Sequence, residues 1–111
     1  MIRGIAGYKA QKTIIDKVQA TKLEEKVNAR VCDLSAGQRR KVSICMALIG
    51  KARFVVMDEP TANLDLKSRE MVWDVILDLK KTQPKTAFLI STQHIEEADY
   101  LASRICVLKD S

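Results

Sequence analysis

Residues 54 to 65 read FVVMDEPTANLD: four apolar residues running without a break into two acidic residues and a proline. An unbroken apolar run this short suits a strand covered on both faces, as in a parallel sheet. Two similar runs follow, AFLI at 87 to 90 and ICVL at 105 to 108. Between the first two, Val72, Val75, Ile76 and Leu79 share one helical face that ends near a TQP turn. Between the last two, a short helix is predicted over about residues 95 to 102. Strand, helix, strand, helix, strand predicts an α/β fold of about three parallel strands joined by right-handed crossover helices. Ligands of such sheets gather beyond the carboxyl ends of the strands, so Asp58 and Glu59 are delivered to a place suited to chemistry.

Upstream, residues 8 to 27 predict one or two helices, because Ile14, Ile15 and Val18 line one face while Lys12, Asp16, Lys17 and Lys22 fall elsewhere. KVNARVCD, 26 to 33, reads as a connection. From 38 to 49, Val42, Cys45, Met46 and Ile49 follow a helical repeat that Ile44 and Leu48 widen, which predicts a largely buried helix ended by Gly50.

Hydrophobic residues make up 47% and charged residues 30% of the 111, the balance of one globular domain rather than a disordered chain. The 19 Lys and Arg against 14 Asp and Glu leave a net charge of +5, which admits an anionic partner without naming one. Arg39, Arg40 and Lys41 form the densest basic run, most simply a solvated helix face. The mostly apolar stretch 42 to 49 falls short of the roughly 20 residues that span a bilayer, so no transmembrane segment is expected in this chain. The first twelve residues lack the apolar core of a secretory signal. Cys32, Cys45 and Cys106 show no C-x-x-C spacing, and with one histidine they do not suggest a structural zinc site; the last two sit in apolar runs, as small hydrophobes do.

Asp58 at a strand tip suits Mg²⁺, which takes oxygen ligands and keeps several waters. Glu59, one residue on, points elsewhere and is placed to orient or deprotonate a water, a role typically worth ~10²–10⁴ in rate. Taken alone, DE after a strand more often merely starts a solvated loop. In CDLSAGQRRK, 32 to 41, Ser35 and Gln38 form a capping box. That box does not account for Gly37, since glycine in a helix costs up to about 1 kcal/mol against alanine. Something approaching the backbone closely would account for it, and a helix start with exposed amides suits phosphate.

LSAGQ at 34 to 38, FVVMDEP at 54 to 60, ANLD at 62 to 65 and STQHIEEAD at 91 to 99 stand in the order and approximate spacing of an ATP-binding cassette ATPase. The chain resembles the C-terminal part of such a domain, most closely the A subfamily and drug-exporter ATPases. The resemblance implies an incomplete P-loop NTPase fold, with residues 1 to 33 ending a helical subdomain and 34 to 111 carrying the signature, Walker B, D-loop and switch-loop regions. It also implies ATP and Mg²⁺ as cofactors. Ser35, Ala36, Gly37 and Gln38 would face the γ-phosphate of ATP held by a second nucleotide-binding domain in a head-to-tail dimer. Asp58 would be the Walker B metal ligand, Glu59 the catalytic glutamate, and Asn63, Leu64 and Asp65 the D-loop crossing the interface, with Asp65 among the nucleotide-binding residues. Transmembrane domains would be the other partners, at the cytosolic face of a membrane, with no nucleic acid expected.

Three departures stand out. Ala36 replaces the usual signature glycine. Gln93 occupies the switch-histidine position; it can hydrogen-bond a phosphate oxygen but cannot carry a proton as imidazole does, and His94, one place on, points another way or caps the helix. No G-x-x-x-x-G-K-S/T occurs, and the glycines are Gly4, Gly7, Gly37 and Gly50. The resemblance therefore implies that the Walker A loop and its strand precede Met1, that this chain by itself does not hydrolyse ATP, and that its sheet has an uncovered apolar face. The main expectation is ATP hydrolysis coupled to transport of a lipid-like or drug substrate in the complete protein. The alternatives are a soluble ATPase of the same family acting on ribosomes or DNA, and a non-enzymatic remnant that supplies a signature surface.

Overall fold

A computed structural model describes residues 7 to 48 and 52 to 109, with the side chains of 7 to 11 left aside. In chain order, α1 spans Gly7–Ala20, two 3-10 turns span Glu24–Lys26 and Val31–Asp33, and α2 spans Ala36–Leu48. Then come β1 at Phe54–Asp58, α3 at Leu66–Thr82, β2 at Ala87–Ser91 and α4 at Ile95–Leu101. The expected end of α2 at Ile49 and Gly50 lies outside the described residues. β1 and β2 pair in parallel, from Phe54 opposite Ala87 to Asp58 opposite Ser91, so both carboxyl ends finish level.

The core forms where the inner faces of β1, α2 and α3 meet. Val72, Val75, Ile76 and Leu79 of α3 are fully buried against Leu48 and Ile44 of α2, Val55 and Met57 of β1, and Leu101 of α4. Full burial of such a side chain stabilises by about 1.5–3 kcal/mol, which is why the helical repeat at 72 to 79 identifies the crossover correctly.

Three expectations change. β1 alternates exposed and buried along its length, with Phe54 and Val56 60% and 62% exposed while Val55 and Met57 are buried; Leu89 opposite Val56 is also exposed. Among the described residues only one face of the sheet is covered, so a run that reads as two-sided has a one-sided environment. Next, residues 105 to 108 pair with neither strand, and Ile105, Val107 and Leu108 are exposed. A strand exists only where a neighbour takes its amides and carbonyls, so the described sheet has two strands rather than three. Cys106 is correspondingly exposed, while Cys45 is buried as expected. Finally, α2 buries Gly37, Lys41, Ile44, Cys45 and Leu48, and Met46 is 61% exposed. The buried stripe is rotated from the expected one, because α2 docks through its Gly37 end on α3.

Candidate functional site

The acidic pair leaves the end of β1 through a strained corner. Glu59 has φ 45° and Asn63 φ 60°. Left-handed backbone is tolerated by asparagine but costs a glutamate of order 1–3 kcal/mol, so it must be held by its surroundings. The Glu59 amide donates to the Ser91 carbonyl at 3.0 Å and contacts Ser91 Oγ at 3.2 Å. Ser91 Oγ donates in turn to Asp58 Oδ1. Two successive turns carry the chain onward, with the Ala62 amide donating to the Glu59 carbonyl at 3.1 Å and the Leu64 amide to the Thr61 carbonyl at 3.2 Å. The loop ends at Asp65, which caps α3 by accepting from the Ser68 amide at 2.9 Å and the Ser68 hydroxyl at 2.8 Å. Those bonds, the amide's first, hold the Asp65 carboxyl below its ordinary value.

Residues 62 to 64 form a wall between two open clefts. On one side, about 370 Å³ is lined by Glu59, Arg69, Gln93 and His94. On the other, about 290 Å³ is lined by Ala36, Arg39, Arg40 and Ser43 of α2. Glu59 and Gln93 thus share one cleft, and His94 lines it too; the His94 amide donates to Thr92 Oγ1 at 3.0 Å. His94 stands at the N-cap of α4 but makes no side-chain cap bond there.

The capping box at α2 forms as read: the Ser35 amide donates to Gln38 Oε1 at 2.9 Å and the Gln38 amide to Ser35 Oγ at 3.2 Å. That cap occupies the Gln38 amide; at the same helix start Ala36 is exposed and Gly37 is buried. Gly37 has a reason within the chain. A Cβ built on it would lie 3.0 Å from Ser68 Cβ and 3.1 Å from Ser68 Oγ, so α3 makes a close approach to this glycine within the chain. Ser35, Gln38 and Asp58 line neither cleft.

Asp58 is exposed at the strand tip, with one carboxylate oxygen held by Ser91 and the other without a side-chain hydrogen bond among the described residues. One carboxylate oxygen completed by water fits the habit of Mg²⁺. No group of three or more His, Cys, Asp or Glu suited to a metal occurs among the described residues, and none of their helices is long and apolar enough to cross a membrane.

Sequence reasoning passes over Thr61, Arg69, Ser91 and Glu97. Glu97 sits in the acidic run EEAD, which reads as solvated, and only the packing of α4 on α3 hides it. Ser91 carries one available signal: it stands directly opposite Asp58 once the two strands are paired level.

Residues 7 to 62 match the family model of the ABC transporter. The chain is 37% identical over 107 residues to a retinal-specific phospholipid-transporting ATPase from Bos taurus, covering 96% of the chain and 5% of that protein. It is 38% identical over 106 residues to Nod factor export ATP-binding protein I from Rhizobium etli, covering 96% of the chain and 33% of that protein. An inward-facing metal-chelate type ABC transporter superimposes with a TM-score of 0.78 at 22% identity, over 92% of this chain and 41% of that one. An ATP-binding cassette of a further ABC transporter superimposes with a TM-score of 0.76, also at 22% identity, over 91% of this chain and 39% of that one. These structural likenesses show the fold, a partial P-loop NTPase with a small parallel sheet. The chain spans between about a twentieth and a third of the length of these curated relatives.

Proposed function

This chain belongs to the ABC transporter family, and we propose on that footing that it is the signature-bearing part of a nucleotide-binding domain whose complete protein hydrolyses ATP to drive transport across a membrane. Residues 1 to 33 end the helical subdomain, and 34 to 111 carry the signature, Walker B, D-loop and switch-loop regions. The cargo is lipid-like or an exported small molecule, a reading supported by the phospholipid-transporting and Nod factor export relatives. The observation that carries the proposal is the cleft at the strand ends, which Glu59 and Gln93 both line beside a loop held by Ser91.

Within that cleft Glu59 orients the attacking water and takes its proton. Gln93 donates a hydrogen bond to the terminal phosphate without transferring a proton. Mg²⁺, when bound, neutralises phosphate charge, and Asp58 is the residue that holds it. Ser35, Ala36, Gly37 and Gln38 serve a second nucleotide-binding domain paired head to tail, with the amides of Ala36 and Gly37 turned to the γ-phosphate held there. Asp65, whose carboxylate caps α3, belongs to the interface loop on the nucleotide-binding side. The remaining partners are transmembrane domains, which place this part at the cytosolic face of the membrane.

Glu59→Gln in the complete protein tests the assignment. Turnover should fall by about 10²–10⁴ while ATP stays bound, measured by phosphate release and by retained radiolabelled nucleotide. Unchanged turnover would refute the role of Glu59.

A further inference from the structure

Glu96, Glu97 and Asp99 give α4 the composition of a solvated helix, yet Glu97 is 0% exposed. Its Oε1 accepts from Thr61 Oγ1 at 2.6 Å and from Trp73 Nε1 at 2.8 Å. Thr61 is also 0% exposed. Burying a carboxyl group is costly, and the cost is offset only by the hydrogen bonds it makes. Here three separate pieces of chain converge on one oxygen: the 59–65 loop, α3 and α4.

The other ties of the loop are at its ends or inside it. Asp58 and Glu59 are held by Ser91, Asp65 by Ser68, and among the described residues the backbone bonds of the two turns stay within the loop. Among the described residues Thr61 makes the side-chain hydrogen bond that ties the middle of the loop to another element, while Leu64 packs against the core. Two residues of this loop, Glu59 and Asn63, sit in left-handed backbone that relaxes unless it is held.

From this we infer that Glu97 is a positioning residue: through Thr61 it sets the loop that carries Glu59 and Asp65 against α4, the helix with His94 at its N-cap. A displacement of α4 therefore moves the Glu59 loop, which couples the Gln93 and His94 side of the cleft to its opposite wall. The consequence for turnover rests on the proposed ATPase reading; the geometric tie does not. Glutamine at 97 keeps an oxygen for both donors, and its amide nitrogen replaces Oε2, which has no partner among the described residues. Glutamine should therefore preserve the tie.

The test compares Thr61→Val and Thr61→Ser with Glu97→Ala and Glu97→Gln by amide hydrogen exchange of the full chain. Thr61→Val should raise exchange at 59 to 64 about tenfold relative to 72 to 79, the size expected for one lost buried bond, while Thr61→Ser and Glu97→Gln stay within about twofold of the parent. Glu97→Ala, which also releases Trp73, should loosen both segments, the loop more. An equal rise in both segments for Thr61→Val, or no rise in the loop, overturns the inference. In the complete protein Thr61→Val should lower kcat about tenfold with KM for ATP within about twofold, and equal loss through KM alone overturns the positioning role. If the complete protein hydrolyses no ATP, the proposed function fails while the exchange comparison still decides this one.

Discussion

Gly37→Ala is the substitution that most directly tests how α2 and α3 meet. The new Cβ would lie 3.0 Å from Ser68 Cβ and 3.1 Å from Ser68 Oγ, closer than ordinary carbon contacts, while the next neighbour, Ser68 Cα, lies at an unremarkable 3.6 Å. Relief requires Ser68 to move, yet its amide and hydroxyl are both bonded to Asp65 and the residue is 8% exposed. Overpacking of this kind costs about 1–3 kcal/mol. Alanine recovers up to about 1 kcal/mol of helix propensity. The net expectation is a loss of about 0–3 kcal/mol, and each kcal/mol should lower the Tm of a chain this size by about 4 °C.

The assay is urea unfolding followed by the fluorescence of Trp73, the sole tryptophan, which sits buried at the α3–α4 contact. Because Ser68→Gly removes both close contacts, Gly37→Ala in that background should be neutral or stabilising, giving a coupling of about 1–3 kcal/mol in the double-mutant cycle. If Gly37→Ala stabilises the parent, or destabilises the Ser68→Gly background equally, the close approach of α3 is not the reason for the glycine.

Three further outcomes follow from the ionisable groups. The Asp65 carboxyl is held below its ordinary value of 3.8, so its bonds to Ser68 contribute fully above that value and are lost as pH falls through the depressed folded value; Asp65→Asn should make the acid loss of stability shallower in urea titrations. Lys41 is lowered from 10.5 chiefly by burial, then by Lys22, with Glu24 opposing; its charge is thus disfavoured in the folded chain, stability should rise as pH climbs toward 10.5, and Lys41→Met should raise the urea midpoint at neutral pH and flatten that rise. Cys45 is raised by burial, against smaller lowering effects of Thr21 and Lys17, whereas Cys32 and Cys106 are exposed, so a thiol reagent at about pH 8 should label two cysteines quickly and the third only on unfolding.

Much of the candidate site was legible because it depends on local order along the chain. Asp58 and Glu59 follow a strand that a four-residue apolar run announces, and Ser35 with Gln38 forms its box within one helical turn. Glu97 was not legible, since its neighbours Glu96 and Asp99 are exposed and nothing local separates it from them. Its partners Thr61 and Trp73 lie 36 and 24 residues away. The reason for Gly37 was half legible: a close approach is required, but the approaching group is Ser68, 31 positions further on by residue number.

By itself, then, the sequence determined the helices, the two paired strands and the order of the motifs, because periodicity, capping and apolar runs act over a few residues. Tertiary structure decided what each surface meets. It turned the face of α2 so that Lys41 is buried and Met46 is not, left Phe54, Val56 and Leu89 uncovered, and kept residues 105 to 108 out of the sheet. It also gathered Thr61, Trp73 and Glu97 around one oxygen. Burial and strand pairing are properties of neighbours, and those neighbours are set by how the elements dock, which no short stretch of chain specifies.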